Sequence, residues 1–391
     1  MFDSLRTYIK MGLIILLRVV LKVLFVFPVN NKRILFSSSE GAGFFCNPKY
    51  IFLSLFDKGL DCVWVLRDLS LMSPKYHVKK VKFLSIKHVY YLMTSKVIVS
   101  NLAIEPFVPI RKNQLVINTW HGGGAYKYNW LDSSFVTTAK ARMMVYMRDV
   151  RAKGTNYLIS SSERFSFEKS KEFGLPMEKL LCVGSPRNDL FFQKDLNYFR
   201  RKVCREYQLD ESSILVLYAP TFRGYWRNIK HTPIEFDTEK VKKVIGEKFD
   251  KQCTLLFRHH FKDKTRKIKG GVDVSDYQDM QELLAAVDML ITDYSSSIWD
   301  FALTYKPGFL YTPDLEDYEK ETKFYMPIRK WQYPLATNIA DLCQNIERYD
   351  TREAHLRIKK HLKELGSYEN GHATEKVCKV IEEWLNRSKV S

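Results

Sequence analysis

The sequence predicts an α/β protein of two doubly wound halves, each a Rossmann-like arrangement of parallel strands and covering helices. Three observations carry that prediction. Short apolar runs alternate with segments of helical spacing along almost the whole chain, and runs that are continuously apolar mark strands covered on both faces. The alternation comes in two series with a charged stretch between them, and 391 residues are ample for two domains. Residues suited to binding anions or moving protons gather just beyond the apolar runs, where open parallel sheets bind ligands.

In chain order, residues 34–36, 62–66, 97–99 and 115–118 read as buried parallel strands, with helices at 50–58 and 86–94. A longer helix at 136–152 leads to a strand at 157–160, a helix at 163–173 and a strand at 180–183 that ends the first series. Residues 190–211 are charged and largely helical, above all at 199–207, and read as the connection between domains. The second series has strands at 214–218, 254–257 and 272–274, a helix at 280–287, an apolar strand running into Asp293, and a strand at 308–311. A last helix at 374–386 could pack on either half. The expected boundaries are 1–29 for an N-terminal amphipathic helix, 30–195 and 205–372 for the two domains, and 373–391 for the closing helix. No internal repeat or low-complexity tract interrupts this order.

Hydrophobic residues make up 46% of the chain and aromatic residues 14%, enough for packed cores and against extensive disorder. A net charge of +18 points to polyanionic partners such as nucleic acid, anionic lipid, nucleotide or a phosphate-rich polymer, or else to a merely soluble basic surface. No nucleic-acid module can be identified, so nucleic acid is not an expected partner. The seven cysteines are dispersed without a Cys-x-x-Cys pair, which fits reduced thiols in a cytosolic protein and neither a disulfide framework nor a zinc site.

The N-terminus is the compositional anomaly. Leu, Ile, Val and Phe dominate from residue 11 to 27, but Arg18 and Lys22 interrupt the run, and a spanning helix needs about 20 mostly apolar residues. On a helical wheel Asp3, Arg6, Thr7, Lys10, Arg18 and Lys22 share one broad sector, into which Ile14 and Leu21 intrude. The preferred reading is a helix lying on a membrane with its basic side toward the headgroups, ahead of a helix packed on its own protein and of a marginal anchor. No small-residue cleavage pattern follows, so a removed signal peptide is not expected.

The strand ends carry the candidate chemistry. The run Leu290, Ile291, Thr292, Asp293, Tyr294, Ser295, Ser296, Ser297 passes from a strand into a helix start, where free N–H groups and the helix dipole suit a phosphate; the serines could equally be simple helix caps. His121 stands just past a strand and before Gly122, Gly123 and Gly124. A histidine near neutral pKa suits general-base work and glycines let a substrate approach the backbone, although a histidine satisfied by local hydrogen bonds remains open. This is no Walker loop, because the Gly-Lys-Ser/Thr ending is missing. Pro220 ends a strand and is followed by Thr221 and Arg223, a hydroxyl and a guanidinium suited to phosphate. Arg187 likewise follows the strand at 180–183.

His259 and His260, after Arg258, should point oppositely if their strand persists, so one could face a ligand. They cannot easily share a metal and no third ligand is suitably spaced, so no metal is expected. With no Asp-x-Asp pair to bridge a metal, charge on a leaving diphosphate would fall to histidine, arginine, serine and helix N–H groups. The acidic segment 314–318 reads as a surface loop and the basic run 262–269 as a solvated face that could also meet an anionic acceptor.

Taken together, the motifs resemble the CDP-glycerol glycerophosphotransferases of teichoic acid and capsule synthesis. The resemblance covers most of the chain after about residue 30 and rests on Asn118-Thr-Trp-His-Gly122, Gly184-Ser-Pro-Arg-Asn-Asp189, Tyr218-Ala-Pro-Thr-Phe-Arg223, Arg258 to His260, and Ile291-Thr-Asp-Tyr-Ser-Ser296 with Asp300. It implies a GT-B-like architecture, with an N-terminal acceptor domain and a C-terminal donor domain facing a nucleotide cleft, peripheral to the cytoplasmic face of a bacterial membrane. It further implies transfer of glycerol phosphate or a related polyol phosphate from a CDP donor to a lipid-linked or polymeric anionic acceptor, with release of CMP and no cofactor.

Carried over by motif, His121 would be the catalytic base and His260 would contact the donor phosphates. Asp293, Ser295 and Ser296 would hold the diphosphate with Thr221 and Arg223 in support, and Gly122, Gly123, Lys127 and Arg187 would lie on the acceptor side.

The chain also departs from the family pattern. Many members read His-Gly-Thr-Pro-Leu-Lys-Lys where this chain has His121-Gly-Gly-Gly-Ala-Tyr-Lys127. Phe261 replaces the proline after the second histidine, Thr322-Lys-Phe-Tyr325 stands where Arg-Gly-Phe-Tyr is common, and Gln332-Tyr-Pro334 stands at a later Pro-Gly-Pro. These positions lie near the expected substrates. They leave room for a GT-B glycosyltransferase with a nucleotide-sugar donor and, in another class, for a non-catalytic basic protein that binds membrane or polyanions.

Overall fold

The computed structural model describes residues 2–73, 75–122, 127, 138–193, 195–221, 223–225, 228–230, 235–259 and 268–387. The chain divides into two compact units. The first comprises Met1–His121, Asn129–Asp189 and Ser367–Ser391; the second comprises Gly122–Tyr128 and Leu190–Gly366.

In the first unit, β1 (Asn30–Ser37), β2 (Asp61–Leu66), β3 (Lys79–Lys82), β4 (Ser95–Ser100), β5 (Leu115–Asn118), β6 (Tyr157–Ser160) and β7 (Leu180–Cys182) form one sheet in the order β3-β2-β1-β4-β5-β6-β7. Every pairing is parallel; Ile34 in the central strand sits opposite Cys62 on one side and Val97 on the other. Successive residues of the strands enter opposite cores. Ile34, Phe36, Trp64, Val97, Val99 and Ile117 pack on one face, and Leu35, Val63, Val65, Ile98 and Val116 on the other. That two-sided burial is why the runs are continuously apolar. The unit's helices are α1 (Phe2–Val20), α2 (Cys46–Leu55), α3 (Ile86–Thr94), α4 (Ala139–Gly154) and α5 (Glu163–Phe173). Ser85, Thr138 and Ser162 cap α3, α4 and α5 by accepting an N–H from the first turn.

In the second unit, β8 (Ile214–Ala219), β11 (Cys253–Phe257), β12 (Val272–Asp273), β13 (Met289–Thr292), β14 (Gly308–Tyr311) and β15 (Leu335–Ala336) form a parallel sheet in the order β12-β11-β8-β13-β14-β15. A separate antiparallel hairpin joins β9 (Arg223–Tyr225) to β10 (Asn228–Lys230). The helices are α6 (Asn197–Tyr207), α7 (Thr238–Phe249), α8 (Met280–Ala286), α9 (Ser297–Phe301), α10 (Leu315–Glu321), α11 (Ile339–Glu347) and α12 (Thr351–Glu364). The central strand comes first in sequence in both sheets, with the next two strands on one side and the later ones on the other, the Rossmann order. The last helix, α13 (Ala373–Arg387), returns to the first unit, where Val377, Cys378, Ile381 and Leu385 join the core beside α2.

Two expectations are corrected. The acidic segment at 314–318 is no loop: it opens α10, and Asp314 pairs with Arg223. The basic side of α1 does not face outward as a whole, because Arg18 turns inward and donates to the carbonyls of Pro106 (3.1 Å) and Val108 (2.5 Å). Thr7, Met11, Ile14, Arg18 and Leu21 form the half-buried face, whereas Leu5, Ile9, Leu13, Leu16 and Val20 are exposed. The orphaned carbonyls satisfy Arg18, and Ile14 and Leu21 intrude on the polar sector because that sector is partly the packing face. Among the described residues no helix is long and apolar enough to cross a membrane.

Candidate active site

His121 follows β5 by three residues. Its approach is bent: Trp120 holds φ 53°, a left-handed conformation that an L side chain adopts at a cost of about 1–2 kcal/mol. Side chains on either side hold that bend. Asn118 Oδ1 accepts the Trp120 N–H (3.0 Å), and Asn47 Nδ2 donates to the carbonyls of Thr119 (2.9 Å) and Trp120 (3.0 Å). Arg187, only 5% exposed, donates to the carbonyl of His121 (2.6 Å), to Cys46 Sγ, and from its backbone to Asn47 Oδ1. Arg187 thus grips the backbone of the histidine.

The imidazole packs against Trp120, ring centroids 4.3 Å apart and planes tilted by 40°, and its Nδ1 lies 3.1 Å from the carbonyl of Asn101. A carbonyl only accepts, so Nδ1 carries the proton and Nε2 keeps its lone pair. The side chain retains solvent exposure, but surrounding protein desolvates it and Arg187 and Lys169 add positive charge, so its pKa lies below the usual 6.5 despite the opposing Asn101 bond. At neutral pH it is a neutral imidazole with a defined tautomer, able to take a proton at Nε2.

The motif from Gly184 to Asp189 buttresses this arrangement. Gly184 has φ 90°, and a Cβ there would lie 2.9 Å from Glu369 Oε2. Glu369 accepts from Ser185 N and Asn188 Nδ2, both at 3.0 Å, and Asp189 accepts the N–H groups of Ala373 (3.0 Å) and Thr374 (2.7 Å) at the start of α13. The motif ties the chain's end to the His121 loop.

In the second unit, Asp293 directly follows β13 and is 1% exposed. It accepts from Thr221 N (2.9 Å), Thr221 Oγ1 (2.6 Å), Arg223 Nη1 (2.8 Å) and its neighbour Tyr294 N (2.6 Å). Arg223 makes a second, forked pair with Asp314 at 2.5 and 3.0 Å and lies over the rings of Tyr294 and Tyr318, which stack at 3.6 Å. Burial alone would lower the pKa of Arg223, but Asp293 and Asp314 outweigh it and hold the guanidinium firmly protonated. Asp293 and Arg223 therefore organise the loop after β8.

Ser295 and Ser296 remain half-buried. Ser295 Oγ accepts from Ser297 N (3.3 Å) and Ser297 Oγ (2.9 Å), so it does cap α9; Ser296 makes no side-chain cap bond. Thr221, whose N–H and hydroxyl are turned onto Asp293, and these serines follow the carboxyl ends of adjacent strands, β8 and β13.

Lys127 belongs to the second unit, bridged to Phe324 and lying 5.4 Å over Tyr318. The chain therefore leaves the first unit between His121 and Gly122. His260 and Gly123 lie outside the described residues. Arg258 is turned inward to the carbonyls of Val274 and Tyr277, and the Nε2 of His259 lies 3.9 Å from Asp273. Asn47, Asn101 and Glu369 were not legible as site residues: Asn47 and Glu369 hold backbone groups of other residues and Asn101 acts through its own carbonyl, which no spacing of residue types reveals.

The two parallel units in Rossmann strand order carry an accessible imidazole beyond the carboxyl end of one sheet and a hydroxyl-rich loop beyond that of the other, the architecture of an α/β protein with polar groups where such sheets bind ligands. The chain belongs to the family described as CDP-Glycerol:Poly(glycerophosphate) glycerophosphotransferase, whose model matches residues 19–383. By that membership it is an enzyme of the glycerophosphotransferase class.

Among curated relatives, the teichoic acid poly(glycerol phosphate) polymerase of Bacillus spizizenii is 29% identical over 336 residues, covering 80% of this chain and 82% of its own. The teichoic acid ribitol-phosphate primase of the same organism is 28% identical over 307 residues, covering 76% and 77%. Among solved structures, the wall teichoic acid polymerase TagF superposes with a TM-score of 0.81 at 22% identity over 99% of both chains, a likeness of fold.

Proposed function

We propose that this enzyme transfers glycerol phosphate, or a related polyol phosphate such as ribitol phosphate, from its CDP ester to a hydroxyl of a teichoic-acid-like acceptor, with His121 as general base. The observation that carries the reading is the tautomer of His121: the Asn101 carbonyl holds the proton on Nδ1, so Nε2 is the basic atom. Nε2 takes the proton of the acceptor hydroxyl as its oxygen attacks the distal phosphorus in line. The bond from that phosphorus to the CMP oxygen breaks, and CMP leaves as the anion. Ser295 and Ser296 offer hydroxyl donors to the diphosphate, while Asp293, which accepts the hydrogen bond of the Thr221 hydroxyl, and Arg223 hold the loop that carries Thr221. His260 adds charge at the donor phosphates. Relatives named for glycerol phosphate and for ribitol phosphate support the polyol-phosphate class without choosing between the two.

The enzyme works at the cytoplasmic face of the membrane, docked through α1. Leu5, Ile9, Leu13, Leu16, Val20 and Val23 expose an apolar surface beside the exposed Arg6, Lys10 and Lys22, a combination that suits an anionic bilayer surface. Cosedimentation with vesicles containing anionic lipid is expected for the wild type and should be lost in Leu13→Glu/Leu16→Glu; binding unchanged by the double substitution would exclude α1 as the docking element. For the reaction, turnover of CDP-glycerol, CDP-ribitol and a panel of nucleotide-sugars decides the donor. Release of CMP from a CDP-polyol is expected, and turnover confined to nucleotide-sugars would instead identify a glycosyltransferase.

A further inference from the structure

The loop between β1 and α2, residues 38–45, leaves the sheet where the strand order reverses between β1 and β4, the crevice in which doubly wound sheets usually hold a ligand. Its backbone is unlike the rest of the chain. Ser39, Glu40 and Gly41 follow one another at φ 46°, 57° and 79°, and Cys46 at the start of α2 has φ 62°; nowhere else among the described residues do even two left-handed residues stand in succession. Glycine adopts that conformation freely, but each L residue in it costs energy, and such strain persists only where surrounding contacts impose it.

The contacts run to both neighbouring strands. On the β2 side, the Gly41 carbonyl accepts the Arg67 N–H (2.7 Å), and a Cβ on Gly41 would lie 2.9 Å from that nitrogen, so the approach needs glycine. Arg67 also donates from Nε to the Glu40 carbonyl (2.9 Å) and pairs with the Glu40 carboxylate (2.5 Å). On the β4 side, the Ser39 N–H donates to Oδ1 of Asn101 (2.7 Å), and Asn101 Nδ2 donates back to Ser39 Oγ (3.4 Å). Asn101 is fully buried, and its own carbonyl is the one that faces Nδ1 of His121. At the far end of the loop, Cys46 and Asn47 meet Arg187 and the backbone that leads into His121.

We propose that the loop between β1 and α2 is a positioning bracket for His121, with Asn101 as its working end: the strained turn at Ser39 fixes the Asn101 side chain, and with it the peptide whose carbonyl keeps the proton on Nδ1. Asn101 and Arg67 are thereby positioning residues that need touch no substrate. The proposal rests on the reading of His121 as general base. Released from Ser39, the Asn101 peptide is free to turn and its carbonyl leaves Nδ1. The proton then moves between the two ring nitrogens, and on Nε2 it blocks the atom that accepts the proton of the attacking hydroxyl.

The test uses the full chain with isotope-labelled histidine at about pH 8, where the imidazole is neutral, and reads the His121 tautomer by nitrogen NMR, with His121→Gln identifying the resonances. The wild type should carry the proton on Nδ1. Asn101→Ala should place a measurable share of it on Nε2 and lower kcat for CDP-glycerol about tenfold, part of the roughly 10²–10⁴-fold that a positioned base contributes, with the donor KM within about twofold. Ser39→Ala keeps the N–H and loses only the long hydroxyl contact, so it should match the wild type in both readings.

Asn101→Ala opens a buried position, and Arg67→Gln decides if that variant does not fold, because the Arg67 side chain is 55% exposed and its ion pair adds little to stability. It should shift the tautomer in the same direction and lower kcat about threefold. A proton still confined to Nδ1 in the deciding variant overturns the bracket whatever happens to kcat, as does a wild type protonated on Nε2. A changed tautomer supports the bracket even if no CDP-polyol is turned over. A changed tautomer with wild-type kcat also supports it, and removes His121 as the base instead.

Discussion

Replacing His121 with alanine is expected to lower kcat for polyol-phosphate transfer by about 10²–10⁴-fold, the usual contribution of a positioned general base. The fold should survive, because the imidazole is exposed and the loop is held by other groups: Asn118, Asn47 and Arg187 all grip backbone atoms. Thermal unfolding close to that of the wild type, with the donor KM preserved, is the accompanying result. His121→Gln should be about as slow, since it lacks a basic nitrogen.

The pH profile follows from the lowered pKa. The working form is neutral imidazole, which exists above the pKa, and desolvation together with Arg187 and Lys169 moves that pKa below 6.5. Transfer should therefore hold through pH 6.5 and fall only at more acid pH. A limb centred at or above 6.5 that vanished in His121→Ala would contradict the electrostatics, and an alanine variant with wild-type kcat would remove His121 from the chemistry.

Replacing Asp293 with alanine should lower the stability of the second unit by about 3 kcal/mol, the low end of the cost of breaking a buried ion pair. The low end applies because Arg223 keeps Asp314. The loss is broader than one pair, since Asp293 also receives the backbone N–H and hydroxyl of Thr221. Without it the loop after β8 loses its hold on the carboxyl end of β13, so the donor KM should rise while acceptor binding in the first unit is untouched. Denaturant unfolding measures the first effect and steady-state kinetics the second; a variant of wild-type stability would show that the pair is not load-sharing in the folded state.

What could be read from the sequence divides along physical lines. The central strands were legible because burial on both faces leaves a continuous apolar run, and the expected 115–118 and 157–160 coincide with β5 and β6. The edge strand β3 was not, because its sequence Lys-Lys-Val-Lys protects an open edge with charge and buries only Val81. The two-residue β15 and the hairpin of β9 and β10 offer too little pattern to see. Asp314 reads as a loop residue because an acidic stretch usually is one; its partner Arg223 lies 91 positions earlier, and only the fold brings them together.

The site was legible where chemistry and spacing coincide and opaque where the fold alone makes the contact. Asp293 stood out by its motif, but its position, sealed beneath Thr221 and Arg223, shows it to hold the loop. Arg187 stood out as a strand-end cation, yet its reach to the His121 carbonyl depends on α2 and on the motif's turn at Gly184. The α1 wheel separated polar from apolar residues but could not see the carbonyls of Pro106 and Val108 that draw Arg18 inward.

The most direct test of the central claim is to follow the distal phosphorus. With CDP-glycerol labelled at that phosphorus and a teichoic-acid-like acceptor, the account predicts label in the acceptor product and unlabelled CMP in equal amount. Label that stays on the nucleotide as CDP, with only the polyol transferred, would contradict it.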